Sequence, residues 1–190
     1  EKTARSYIEK YPSAYRNMRW VGDKMSEHLQ KTLPQHPIAA ELATFEWALG
    51  LAFDAEDVST LTLQDLAAVP PEEWSGVMLK AHPSVQLLAF KSNVILVWQA
   101  LNTEQKPPKA KKCLEPCVVW RKGLDSHYRS LENLEMLALK QVINGLTFAA
   151  LCEFLQGGKV VETFTEEAAM QKAATYLSGW LNDGLLIKTI

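Results

Sequence analysis

The stretch CVVWRKGLDSHYRSLENLEMLALKQVINGLTFAALCEFL, residues 117–155, constrains the fold most, because its hydrophobic period changes within it. Residues 117–121 and 126–131 read as strands on either side of Lys122-Gly123-Leu124-Asp125, which predicts a hairpin. Helical spacing then takes over at about 132–144 and 148–156, across an Asn144-Gly145-Leu146-Thr147 turn. A third helix is expected at 166–182 and a closing strand at 185–190. Gly145, Gly157-Gly158 and Gly184 mark helix ends, and Thr147 and Thr165 are placed to cap the helices that follow them. A hairpin, three helices and a returning strand make up a winged-helix-like module in permuted order.

Upstream, residues 4–33 read as helix in two pieces broken at Tyr11-Pro12-Ser13, with Ser13 as N-cap of the second. A helix from Ile38 to about Asp57 carries Leu42, Phe45, Leu49, Ala52 and Phe53 on one stripe. Pro70-Pro71-Glu72-Glu73-Trp74 opens a short helix, where proline and acids suit the first turn. Two extended runs, 77–81 and 85–90, meet at His82-Pro83-Ser84 as a hairpin or bulged turn, and a helix holding Trp98 follows at 93–101. The expected fold is α+β: a helical domain at 1–68, a hairpin-helix segment at 69–102, a linker at 103–112 (TEQKPPKAKK), and the winged-helix-like module with a small antiparallel sheet at 113–190.

With 190 residues and 47% hydrophobic content, the chain can bury one good core or two small ones. Its longest apolar runs, such as Val94 to Trp98, fall far short of the roughly 20 residues of a spanning helix, so no membrane partner is expected. Three cysteines without a framework spacing fit a reducing compartment, hence the cytoplasm. Cys113 and Cys117, with His127 as a third donor, raise a zinc alternative, but no second ligand pair accompanies them, and neither metal nor cofactor is expected.

Charge is unevenly placed. Residues 1–102 carry nine Lys+Arg against twelve Asp+Glu, and residues 103–190 carry eleven against ten. Between Lys106 and Arg129 there are seven basic residues and two acidic ones, a local excess of five that could meet phosphate or an acidic peptide. If DNA is bound, Lys109, Lys111, Lys112, Arg121 and Lys122 are the candidates. The helices argue otherwise: the third begins Glu166-Glu167, where a polyanion would arrive, and Phe148, Leu151, Cys152 and Leu155 line the second. The hairpin is the better surface. One face of the strand at 117–121 can enter the core while its edge accepts a peptide strand, which makes Val118, Val119, Trp120, Arg121, His127 and Arg129 candidates for peptide or partner binding. The competing reading is that residues 185–190 already pair with that edge.

No active site is expected. Glu46 and Asp54 lie roughly 12 Å apart along a helix and cannot share a metal or a water. They read as buried or half-buried hydrogen-bond acceptors that fix loops, and His82 as a turn-fixing residue. No phosphate loop, H-E-x-x-H or G-x-S-x-G occurs.

Five stretches, YIEKYPSAYRNMRWVGDKMSEHL, ELATFEWALGLAFDAED, LKAHPSVQLLAFKSNVILVWQA, VVWRKG and WLNDGLL, together resemble a bacterial DNA-binding-domain family that includes the HvfC and BufC type partner proteins. The resemblance runs from about Ala4 to the C-terminus. It places a helical region ahead of Ala4, so this chain is expected to lack part of it, and the DNA-binding label belongs mainly to that part. The resemblance implies a non-catalytic helper that binds a precursor peptide, a multinuclear iron oxygenase encoded nearby, or both, during maturation of a ribosomally made peptide. DNA-binding transcriptional regulation is the alternative. Glu46, Trp47, Asp54, His82, Pro83, Ser84 and Trp98, with Trp120 and Arg121, sit at matching motif positions, without any catalytic part implied.

Overall fold

A computed structural model describes residues 2–14, 16–157 and 164–189. The elements in chain order are α1 (Lys2–Lys10), a 3-10 turn (Met18–Gly22), α2 (Met25–Thr32), α3 (Pro37–Phe53), α4 (Leu63–Ala67), a second 3-10 turn (Pro71–Gly76), β1 (Met78–Leu79), β2 (Gln86–Ser92), α5 (Val94–Asn102), β3 (Lys112–Lys122), β4 (Asp125–Ser130), α6 (Asn133–Val142), β5 (Leu146–Thr147), α7 (Phe148–Gln156) and α8 (Glu166–Asp183). The chain is a mixed α+β protein with small antiparallel sheets.

The chain divides into two compact units, each built from two stretches. The first comprises residues 1–50 and 89–115, and the second residues 51–88 and 116–190. This division does not follow the expected boundaries. Residues 103–111 form no helix or strand, but they return within the first unit instead of joining two domains. Asn93 holds them: its side chain donates to the Lys109 carbonyl at 3.2 Å and accepts from the Lys111 N–H at 2.7 Å, while its own N–H reaches the Lys111 carbonyl at 3.2 Å.

In the first unit the expected second helical piece is delayed. Asn17 caps the 3-10 turn by accepting from the Arg19 N–H, and α2 follows only at Met25. Tyr7 is buried and donates to the Val21 carbonyl, with Tyr11 and His28 packed around its ring. Phe45 of α3 is fully buried and meets Phe90 and Trp98 edge-on at 5.9 and 5.3 Å, an arrangement that suits the ring quadrupoles. The stripe on α3 is shifted from the expected one. Ala40, Phe45, Ala48 and Ala52 are its buried residues, whereas Phe53 is half exposed.

The second unit has one continuous core, which includes Leu79, Val118, Trp120, Leu139, Leu151, Ala173, Trp180 and Leu186. Its hairpin is as read: β3 and β4 pair from Cys117↔Ser130 to Lys122↔Asp125, and Gly123 takes φ +65 in the loop, a conformation glycine adopts without strain. Thr147 and Thr165 cap α7 and α8, and α8 ends with Gly184 in the left-handed region while Leu185 N–H returns to the Trp180 carbonyl. The expected helix stop Gly158 and the strand end Ile190 lie outside the described residues.

Two expectations about strand pairing are corrected. Runs 77–81 and 85–90 do not form a hairpin, although Val85 N–H closes a tight turn on His82 O at 2.9 Å. Instead β1 pairs with β5, and β2 joins the sheet of order β2-β3-β4. The returning segment does not pair with the hairpin either: it bridges Thr60 through Ile187 and Ala81 through Leu186. Strand β3 is therefore central, and Cys117, Val118, Val119 and Trp120 are all buried instead of alternating in and out. A continuous apolar run marks a strand covered on both faces.

Candidate functional site

Three of the positions singled out by resemblance, His82, Ser84 and Arg121, meet in one polar cluster in the second unit. Ser84 donates its hydroxyl to His82 Nδ1 at 2.8 Å, and the same nitrogen faces the Ser84 N–H at 3.1 Å. Nδ1 is thus the acceptor, and the proton sits on the other ring nitrogen, hydrogen-bonded to the backbone of Val58. The Ser84 oxygen accepts in turn from the Arg121 N–H at 3.0 Å. Arg121 turns its guanidinium onto the loop after α3, donating to the Phe53 carbonyl at 3.1 Å, the Glu56 carbonyl at 3.4 Å and Asp57 Oδ1 at 2.5 Å. Next to it, Trp120 Nε1 donates to the Asp183 carbonyl at 2.7 Å. Pro83 is exposed at the turn.

A serine beside a histidine invites comparison with a nucleophile and its base, and the burial decides the matter. Ser84 is 0% exposed and His82 5%, so no substrate reaches the hydroxyl. Burial pushes the His82 imidazole below its ordinary range, against the opposing effect of the Val58 bond, so the neutral ring is the stable form. The cluster fastens three segments that sequence separates widely. Asp57 is the carboxylate that Arg121 meets, and both Glu46 and Asp54 are exposed, contrary to expectation.

Beside the cluster a groove of about 490 Å³ is lined by Asp57, Thr60, Leu63, His82, Lys122 and Asn182, among others. Lys122 Nζ lies across it and donates to the Asn182 carbonyl at 2.8 Å, a favourable position at the negative end of α8.

Hairpin residues offered as a peptide surface are mostly internal. Val118 and Val119 are fully buried and Trp120 is 5% exposed. His127 is exposed and stacks on Trp120 with ring centres 5.6 Å apart. Arg129 grips Glu135 with both terminal nitrogens, at 3.0 and 2.6 Å, and donates from Nε to Asp183 at 2.8 Å. Glu135 also accepts from Trp180 Nε1 at 3.1 Å. These bonds hold the Arg129 guanidinium far above the usual range for losing its proton, despite the opposing effect of burial. A fork of this kind staples β4 to α6 and α8.

The basic stretch read from the sequence is divided between the two units. Lys109, Lys111 and Lys112 belong to the first unit, while Arg121, Lys122 and Arg129 belong to the second and are all engaged with their own unit. Glu166 and Glu167 are exposed in the first turn of α8. Cys113 and Cys117 lie four residues apart on one extended strand, roughly 13 Å at strand rise, too far for one metal. Among the described residues, no three His, Cys, Asp or Glu side chains converge as ligands.

In the first unit, Trp47 meets Trp20 edge-on at 5.8 Å, and both Trp47 and Glu46 line a hollow of about 250 Å³ with Arg19 and Gly50. A Cβ at Gly50 would lie 2.6 Å from Arg19 Nη2, the far end of a flexible side chain that would have to shift. Trp98 is partly buried against Phe45.

Sequence reading missed a larger feature of this unit. Glu41 on α3 accepts from the Lys91 N–H at 2.7 Å and, through a short bond, from the Ser92 hydroxyl. These residues lie in a groove of about 870 Å³ that also includes Ile38, Ala40, Ala89, Lys111 and Lys112. Nothing local in the sequence signals it, because its walls come from three distant segments. No family model, no curated protein and no solved structure matches the chain.

Proposed function

We propose that the chain is a non-catalytic cytoplasmic adaptor that binds a precursor peptide, a multinuclear iron oxygenase, or both, in the maturation of a ribosomally made peptide. The motif order in the sequence motivates the partners. The buried His82-Ser84 pair is the observation that carries the non-catalytic part, because the Ser84 hydroxyl and the ring nitrogen it meets are bonded within the protein and shielded from solvent. Neutralised arginines and an acidic start to α8 favour polypeptide over nucleic acid as partner, since phosphate backbones are bound by cations free to release counterions. The test is co-purification of the chain with the oxygenase and peptide encoded beside it. Retention of the chain by either is the expected outcome, and a chain that passes both unretained while shifting duplex DNA would replace this reading with the regulatory one.

A further inference from the structure

The groove of the first unit opens between the start of α3, strand β2 and the return segment at 110–112. Lys91, Lys111 and Lys112 stand exposed around it, and none of the three ammonium groups meets a carboxylate among the described residues. Glu41 is the acid of the groove, and its two oxygens are taken by the Lys91 N–H and the Ser92 hydroxyl. Three cations against one occupied carboxylate leave a local excess of two positive charges. The first turn of α3 adds to it, since that turn contains no acid to offset the positive end of the helix. Between the charges the surface is mostly apolar, with Pro34, Pro37, Ile38, Ala89 and Ala110, interrupted by Gln30, Gln35, His36 and Thr44. Lysine is a strongly hydrated point charge on a flexible stem, suited to scattered carboxylates more than to the planar double grip arginine gives.

We propose that this groove docks an acidic polypeptide segment whose carboxylates pair with Lys91, Lys111 and Lys112 while its apolar side chains lie on Ile38 and the neighbouring alanines. The mostly apolar floor selects a peptide over a phosphate backbone, which has nothing to bury there. The proposal deepens the adaptor reading by naming the chemistry of the peptide and the unit that receives it.

The experiment measures anisotropy of a labelled amphipathic peptide of alternating glutamate and leucine, titrated with the whole chain at two salt concentrations. Controls are the same peptide with glutamine for glutamate, an all-glutamate peptide and a duplex DNA. The expected result is salt-sensitive binding of the glutamate-leucine peptide above all three controls. It should be weakened about tenfold or more by the combined Lys91→Glu, Lys111→Glu and Lys112→Glu variant. Ile38→Asp should weaken it as well, whereas reversal of Lys122 in the other unit should leave it unchanged. Equal binding by the triple variant, tighter binding of DNA than of peptide, or no binding at all would each overturn the proposal. Failure here with retention by the oxygenase removes the groove alone; binding here without retention removes the adaptor reading alone.

Discussion

In the unit formed by residues 51–88 and 116–190, Arg121 and Arg129 end on carbonyls and carboxylates of that same unit, whereas in the unit formed by residues 1–50 and 89–115, Lys91, Lys111 and Lys112 end around an open groove. The planar arginine forks are used where several acceptors converge, so that one cation fixes several segments. Lys91, Lys111 and Lys112 stand where no carboxylate meets them among the described residues. Proximity of positive charges along the sequence therefore says little about binding, and what matters is whether the protein has already supplied the partner.

Core substitutions probe each side first. Trp180→Ala and Phe45→Ala should each destabilise by about 3–5 kcal/mol in denaturant unfolding, since each removes a fully buried ring, and Trp180→Ala also removes a donor from Glu135. Next is Arg129→Met, expected at about 3 kcal/mol because it strands the 8% exposed Glu135. Adding Glu135→Leu to Arg129→Met should recover much of that loss, and a double variant no better than the single would mean that the fork is not the staple described. Arg121→Lys should lose about 1–2 kcal/mol through the carbonyl contacts, while Asp57→Asn should lose under about 0.5 kcal/mol, because the Asp57 side chain is 94% exposed.

Acidification sharpens the contrast further. The folded His82 holds a lowered proton affinity, so the unfolded chain binds its proton more readily, and stability present above about pH 6.5 should decline as pH falls below it. A second decline belongs to Asp65, whose carboxyl is lowered to about 2 chiefly by the Lys188 hydrogen bond: its contribution is present above the ordinary carboxylate range and is lost as pH falls toward 2. Both groups lie in the second unit, so amide exchange there should respond to pH first. The smallest effect is expected from Lys111→Ala with Lys112→Ala, within about 0.5 kcal/mol of the parent, as befits charges with no internal partner.

Local signals proved legible. Thr147, Thr165 and Gly184 cap helices where the sequence placed them, and Gly123 turns the hairpin, because such geometry depends on a few adjacent residues. Pairing over distance was not legible. The pattern of 77–81 marks a strand but not β5 as its partner, and TEQKPPKAKK reads as a linker until Asn93 is seen to hold its far end. At the site, the sequence marks His82 as the turn-fixing residue the structure shows, whereas Glu46 and Asp54, expected inside, face solvent. Asp57 carries the bond to Arg121, and nothing in the helix period distinguishes it from its acidic neighbours.

The polypeptide passes between the two units at residues 50–51, 88–89 and 115–116. No single cut can therefore release either unit whole: removing residues 1–50 would orphan the stretch 89–115, and stopping at 115 would leave 51–88 without most of its core. Fragments designed from linear boundaries would misfold for that reason alone, and assigning a property to one unit calls for point substitutions or a rewired chain order instead of truncation.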